Sequence, residues 1–325
     1  MQANHLRWLP ARVVHISHMA ERIKLFRLFL PSYTRFLNVI PGSYIEVKTP
    51  VGLIRQFSLV RCRAEAQEIE IAVLQEQDSL GGSTSMHEDV ELGMTLEISA
   101  PFNNFKLVPD VGGIFIGAGV GMSALISMID QVHRQGLPYE VHDFVRNPLS
   151  RGFVEYLENF KPVFFYQGFE PKYLKDELTN LLTKVIYDSS EDEIHVYFCG
   201  PLGMLHILQE VLAEKQWPQI KLHCEVFTNP LDHANESEFT VGLVKSGQTF
   251  SIPPGVSIAD VLRENEIKVE TSCEQGICGT CYTKVLSGDV IHRDVYLTDE
   301  EKQRQDAMMI CVSRSCTGGH IDLDL

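Results

Sequence analysis

Four cysteines constrain this chain more than any other feature. Cys273, Cys278 and Cys281 stand in a Cys-x4-Cys-x2-Cys run, and Cys311 follows after twenty-nine residues. That is the ligand spacing of a plant-type 2Fe–2S cluster, in which each iron needs tetrahedral sulfur and bridging sulfides supply only half of it. A loop wound tightly around a cluster needs backbone without side chains in the way, and Gly276 and Gly279 lie inside it. Their presence also lets amides approach the sulfurs and tune the reduction potential. Structural zinc sites usually show paired Cys-x2-Cys units, and only one such unit occurs here. Cys316 is a rival for the fourth place. Cys311 is favoured because it ends the apolar run Met308-Met309-Ile310, whereas Cys316 precedes the loop Thr317-Gly318-Gly319. The expected chemistry is transfer of single electrons.

The other cysteines are Cys62, Cys199, Cys224 and Cys316. Met1 to Pro10 lack the apolar run of a signal peptide, and no stretch has the length of apolar residues that spans a bilayer. A cluster together with unpaired thiols suits a reducing cytoplasm. Cys62, Cys224 and Cys316 read as ordinary buried thiols. The formal charge of −15 is uneven, being 0 over residues 1–107, −7 over 108–228 and −8 over 229–325. So acidic a chain does not bind nucleic acid through phosphate contacts. An acidic cluster domain suits steering towards a basic patch on another protein, and plain solubility accounts for the charge equally well.

Composition divides the chain. Residues 8 to 100 alternate apolar and polar positions, as in Ile23-Lys24-Leu25-Phe26-Arg27-Leu28, between Pro31, Pro41-Gly42, Pro50 and Gly52. This predicts many short strands in a barrel or sandwich. Residues 112 to 227 alternate strand-like runs (Gly113 to Ile116, Tyr139 to Phe144, Ile194 to Phe198, Ile220 to Val226) with helix-like segments, a βαβ pattern. The polar stretch 229–237 reads as a linker. Beyond it the pattern predicts a hairpin from Phe239 to Ile252, turning at Lys245-Ser246-Gly247, and a helix from Ser257 to Asn265. Thr298 with Glu301 three residues on predicts a capping box.

Three further segments carry chemistry. Arg55-Gln56-Phe57-Ser58-Leu59 ends an apparent strand with a guanidinium suited to a phosphate and a hydroxyl suited to a flavin ring atom. Ser79-Leu80-Gly81-Gly82-Ser83-Thr84 offers amides and hydroxyls to an anion. Ile114-Phe115-Ile116-Gly117-Ala118-Gly119-Val120-Gly121 runs from an apolar strand into a glycine turn, with a helix predicted from Ser123 to His133. Such a turn can seat a dinucleotide pyrophosphate over a helix N-terminus, although the third glycine arrives one residue early for the usual fingerprint. Val196-Tyr197-Phe198 followed by Cys199-Gly200-Pro201 is a second strand-turn unit facing the same crevice in a doubly wound sheet, with Cys199 either a core thiol or, at a strand end beside Gly-Pro, a nicotinamide contact.

In this order the segments resemble the phthalate dioxygenase reductase group of ferredoxin-reductase-like flavoproteins over almost the whole chain. The resemblance rests on Arg55 and Ser58, Gly81-Gly82-Ser83, Gly117 to Gly121, Cys199-Gly200-Pro201, Glu225-Val226-Phe227, the cysteine loop, and His292-Arg293-Asp294-Val295-Tyr296-Leu297-Thr298 leading to Cys311-Val312-Ser313-Arg314. It implies an FMN-binding antiparallel barrel over 1–107, an NAD-binding α/β domain over 108–228, and a β-grasp 2Fe–2S ferredoxin domain over 238–325. It also implies a cofactor-binding set of Arg55, Gln56, Phe57, Ser58, Ala72, Val73, Leu74, Gly81, Gly82, Ser83, Thr84, Gly117, Ala118, Gly119, Val120, Gly121, Arg146, Cys199, Gly200, Pro201, Glu225 and Phe227. Cys273, Cys278, Cys281 and Cys311 would hold the cluster. Phe57 replaces the group's usual tyrosine, and Met122-Ser123-Ala124 its common Thr-Pro. The group uses NADH; Arg146 and Arg151, after the second strand of the NAD domain, keep a 2′-phosphate and hence NADPH open.

The implied protein is a reductase component that passes single electrons from NADH through FMN and the cluster to a Rieske-type oxygenase. No general acid or base is required. The chain has no Cys-x-His plus Cys-x-x-His Rieske pattern, so electrons must leave to a partner. A reductase for a haem or diiron acceptor is the alternative. A redox-sensing module with vestigial domains is a third reading, disfavoured because all three cofactor motifs hold usable residues.

Overall fold

The computed structural model describes residues 8–31, 36, 39–76, 81–168, 171–188, 193–227 and 236–325. They fall into two compact units, Met1–Phe227 and Thr228–Leu325.

In the first unit, β-strands such as Leu9–Ala20 and Thr95–Ile98 alternate buried and exposed positions, whereas Tyr44–Lys48 and Glu68–Leu74 are buried at nearly every position. β1 (Leu9–Ala20), β2 (Ile23–Phe29), β3 (Tyr44–Lys48), β4 (Ile54–Arg63), β5 (Glu68–Leu74) and β6 (Thr95–Ile98) close into an antiparallel barrel ordered β1-β2-β5-β4-β3-β6. Closure leaves no unpaired sheet edge, and Phe26, Leu28, Ile45, Val47, Ile69 and Ile71 fill the interior. A short helix, α1 (Gly82–Glu88), is tied to β5 by His87, whose Nε2 lies 2.8 Å from the Val73 carbonyl. Burial lowers the pKa of His87, so a neutral ring donates that bond.

The same unit holds a parallel sheet of β7 (Gly113–Ala118), β8 (Tyr139–Val145), β9 (Val163–Gln167), β10 (Ile194–Cys199) and β11 (Ile220–Glu225), in the order β11-β10-β7-β8-β9. Its crossovers carry α2 (Met122–Arg134), α3 (Val154–Leu157), α4 (Pro171–Asp188) and α5 (Leu202–Lys215). The central strand β7 is buried at every position, as expected where helices cover both faces. One apolar core joins barrel residues Ile23, Val60 and Ala72 to Phe115, Leu125, Phe153 and Tyr156. The boundary expected at residue 107/108 is therefore crossed by shared packing.

The second unit is a mixed sheet of β12 (Phe239–Leu243), β13 (Gln248–Ile252), β14 (Tyr282–Ser287), β15 (Ala307–Met309) and β16 (His320–Leu323), ordered β13-β12-β16-β14-β15. β12 and β13 form the expected hairpin, and β12 runs parallel to β16. Across the sheet lies α6 (Ile258–Glu264), whose Ile258, Ala259 and Leu262 pack against Phe239, Val241 and Ile321. Ser257 caps α6 by accepting the Asp260 amide at 3.1 Å. Residues 229–235 of the expected linker lie outside the described residues. Glu236 is already bound into this unit: its carboxylate pairs with Arg293, lies 3.4 Å from the Arg314 Nη1, and accepts the Gly255 amide at 2.6 Å.

Two cysteines expected to be buried, Cys224 and Cys316, are exposed. Cys224 stands on the edge strand β11, which has a neighbour on one side only, and Cys316 in the turn before β16.

The last helix, α7 (Asp299–Arg304), opens with the predicted capping box: Thr298 Oγ1 accepts the Glu301 amide at 3.3 Å and Glu301 accepts the Thr298 amide at 2.9 Å. Thr298→Ala leaves both ends of that exchange weakened and should destabilise the second unit by about 1 kcal/mol, measurable as a lower unfolding temperature.

Candidate iron–sulfur and nucleotide sites

The thiols converge because of strand register. β14 pairs antiparallel with β15, Tyr282 facing Met309 and Thr283 facing Met308. Cys281 immediately precedes β14 and Cys311 follows β15 by two residues, so the open end of this ladder carries both. Their Sγ atoms lie 3.0 Å apart, both residues buried in the second unit's core. On the loop before β14, Cys273 and Cys278 hydrogen-bond to each other, Cys273 Sγ lies 3.4 Å from the Gln275 amide, and Cys278 Sγ lies 3.2 Å from the Thr280 hydroxyl.

In each pair one thiol is pulled down and its partner pushed up, chiefly by the hydrogen bond between them. Cys278 and Cys281 are lowered; Cys273 and Cys311 are raised. The thiolate, the ligand form of cysteine, is thus favoured on one member of each pair. Among the described residues, no three His, Cys, Asp or Glu side chains converge to hold a single ion. Two separate pairs fit a binuclear cluster, one pair to each iron, better than a tetrahedral zinc site.

The loop geometry depends on its glycines. Gly276 has φ +67°, and a Cβ there would stand 2.5 Å from Val312 Cγ2 and 3.0 Å from Asp294. Gly279 has φ +75°, and a Cβ would stand 2.3 Å from the Tyr296 ring. Asp294, buried, holds the second wall: it accepts the Leu297 amide at 2.8 Å and the Ser313 hydroxyl at 3.2 Å, while the Val295 amide donates to the Gly276 carbonyl at 3.1 Å. Asp294 and Tyr296 were legible only as part of a matching segment, since their role is contact across sequence distance.

In the barrel, Arg55, Gln56, Phe57 and Ser58 lie on β4, paired with Val47, Glu46, Ile45 and Tyr44 of β3. Gly81, at φ +97°, turns the chain into α1, and Gly82 abuts Arg55: a Cβ on Gly82 would stand 3.0 Å from Arg55 Cγ and Nε. A guanidinium laid along a glycine at the start of α1 is a cradle that fits a terminal phosphate, as FMN would present. Ser83 Oγ accepts the Glu76 amide at 3.1 Å, and Thr84 follows on α1. Ala72 and Val73 on β5 are buried and Leu74 half-buried. Ser79 and Leu80 lie outside the described residues.

In the parallel sheet the strand order turns around between β7 and β10, which opens a crevice at their carboxyl ends. Gly117 and Ala118 end β7; Gly119, Val120 and Gly121 form a single tight turn ahead of α2. A Cβ on Gly121 would stand 2.2 Å from the Cys199 carbonyl, and one on Gly200 2.8 Å from Ala118 Cβ. The two turns therefore pack against each other, which explains the early third glycine. Pro201 leads into α5. Cys199 is fully buried, in register with Gly117 and Glu225, and its thiol stays protonated, raised by burial and then by Glu225. Glu225 has a sealed Oε2 without a hydrogen-bond partner among the described residues, and burial pushes its pKa to about 7. Phe227 packs on the core that includes Cys199 and Met122. Arg146 is exposed after β8, whereas Arg151 stacks on Phe165 at 3.3 Å from the ring centroid. Beside it, sequence reading missed Asp143, buried on β8 and pushed to about 6 by burial.

The description "2Fe-2S iron-sulfur cluster binding domain" fits residues 243–316. Vanillate O-demethylase oxidoreductase of Acinetobacter baylyi is 31% identical over 93% of this chain and 95% of its own. A solved phthalate dioxygenase reductase, described as a modular structure for electron transfer from pyridine nucleotides to [2Fe–2S], superposes with TM-score 0.78 at 30% identity, covering 98% of both chains. The chain belongs to the phthalate dioxygenase reductase family. It also matches Oxidoreductase NdmD of Pseudomonas putida at 35% identity over 88% of its length, where it spans 48% of that longer protein. Like its family, the chain is an oxidoreductase combining a flavin barrel, a pyridine-nucleotide sheet and a 2Fe–2S domain.

The rival fourth ligands separate by substitution. Cys311→Ser removes a buried sulfur 3.0 Å from Cys281 and should strip iron and the cluster's share of the visible absorbance from the purified protein, leaving the flavin bands. Cys316→Ser, at an exposed position, should leave both at wild-type levels.

Proposed function

We propose that this reductase takes electrons from NADH through FMN and a 2Fe–2S cluster held by Cys273, Cys278, Cys281 and Cys311, and delivers them singly to a Rieske-type oxygenase. The observation carrying the reading is the two-pair thiol arrangement in a chain that also builds a phosphate cradle and a dinucleotide crevice. A bound flavin supplies the step between a two-electron hydride donor and a one-electron cluster. The residues do the rest. Arg55 and Gly82 hold the phosphate end, while Ser58 and Ala72 to Leu74 line the ring. The glycine turn from Gly117 to Gly121 seats the pyrophosphate, and Cys199, Gly200, Glu225 and Phe227 shape the nicotinamide end. Cys199, buried and held protonated by that burial, puts no thiolate charge at this end of the crevice.

Family membership supports an oxygenase partner, and the relatives' demethylase and dioxygenase names, with the absence of a Rieske pattern from this sequence, support the Rieske type. Tyr296, half-exposed, covers Gly279 of the cluster loop, and Asp299 and Glu300 follow it at the surface. Glu301 is occupied by the helix cap, so Asp299 and Glu300 supply the outward charge near the loop. A transient electron-transfer encounter relies on such charge for its rate.

Two outcomes test the path. Cys278→Ser should lose the cluster yet keep flavin and NADH-dependent reduction of a two-electron dye, because hydride transfer lies upstream; loss of NADH oxidation with every artificial acceptor would refute that order. Reduction of the oxygenase below saturation should slow as salt rises from about 0.01 M to 0.1 M, where the Debye length shrinks from about 30 Å to about 10 Å. Dye reduction serves as the control that salt barely moves.

A further inference from the structure

Glu70 on β5 is completely buried, yet three side chains from elsewhere reach its carboxylate. Arg27 Nε of β2 lies 3.1 Å from Oε1 and Arg63 Nε of β4 lies 3.0 Å from it. The other oxygen, Oε2, accepts the Tyr156 hydroxyl at 2.8 Å. Tyr156 belongs to α3, in the crossover that follows β8, and the Arg61 guanidinium lies 4.7 Å from its ring centroid. Burial, and then the Glu70 charge, push the phenol well above its ordinary range, so it donates throughout the working pH range.

The two arginines are barrel residues and already neutralise Glu70 within the barrel. The phenol comes from the nucleotide-binding sheet. A second polar tie joins the same two parts, the Glu21 amide donating to the Leu149 carbonyl at 2.8 Å. Glu70 stands two residues before Ala72 on the strand expected to line the flavin, and Tyr156 stands five residues after Arg151 on the segment expected to meet the nucleotide. Hydride transfer demands reacting atoms about 3–3.5 Å apart, and a misplacement of about 1 Å can cost roughly a hundredfold in rate.

We propose that Tyr156 is a positioning residue for hydride transfer, acting through its buried hydrogen bond to Glu70, which sets the nucleotide-binding sheet against the flavin barrel. The proposal rests on the functional reading above. Tyr156→Phe keeps the ring and removes the tie. It should slow flavin reduction at saturating NADH by roughly three- to tenfold, with the dissociation constant for NADH within about twofold of wild type. In the resting protein without nucleotide, hydrogen–deuterium exchange across residues 149–160 should quicken several-fold. Arg63→Met removes an ion pair from Glu70 but leaves the phenol bond; it should lower the unfolding temperature while keeping both the hydride rate and the exchange pattern. A wild-type hydride rate or unchanged exchange in Tyr156→Phe overturns the proposal. So does an equal rate loss in Arg63→Met, which would make stability the cause. If the wild-type protein fails to reduce its flavin with any pyridine nucleotide, the functional reading falls first and the positioning role with it.

Discussion

Cys281 and Cys311 stand thirty residues apart in sequence and 3.0 Å apart in space because the β14–β15 ladder ends beside them. The register has to be right, since a one-residue slip in an antiparallel pair turns every side chain to the opposite face. Here the pairing is held by Met308 and Met309, both fully buried, so the apolar core itself protects the sulfur geometry. The loop carrying Cys273 and Cys278 then closes against the segment on which Cys311 lies, through Gly276 against Val312 and Asp294. Core packing, register and ligand placement are one constraint in this unit.

Three buried carboxylates share one treatment. Glu70, Glu236 and Asp294 each lose hydration and each recover it through several hydrogen bonds or guanidinium contacts. A buried carboxylate with a partner removed is far costlier than an exposed one, which fixes the segments that carry the partners. Glu236 thereby binds the start of the second unit's chain to Arg293 and Arg314, and Asp294 walls the cluster loop. Glu225 departs from the pattern: its Oε2 has no partner among the described residues and its pKa is pushed to about 7. It ends β11 in register with Cys199, at the carboxyl ends of the strands where the crevice opens.

Local chemistry was legible in the sequence. Period-two alternation foretold the barrel strands, glycine turns foretold the ends of β7 and β10, and the Thr298–Glu301 box foretold the start of α7. The cysteine spacing pointed to four thiols, which the structure brings together as two pairs. What sequence left unread is contact between distant residues. Nothing in the neighbourhood of Glu70 or Tyr156 marks them as partners across eighty-six positions, and Gly279 gives no sign that Tyr296 will lie over it. Cys224 and Cys316 went astray because cysteine is so often buried that composition favours the core, whereas an edge strand and a terminal turn decide otherwise. The single shared core of barrel and parallel sheet was likewise invisible, since composition shifts mark changes of strand pattern and say nothing of which surfaces meet.

The central claim is that electrons entering as hydride reach a binuclear cluster on this same chain. Anaerobic addition of NADH to the purified protein, followed by low-temperature electron paramagnetic resonance, tests it directly. The account predicts the signal of a reduced 2Fe–2S cluster, integrating to about one spin per chain. Bleaching of the flavin with no iron signal, or a signal from a single iron, would contradict it.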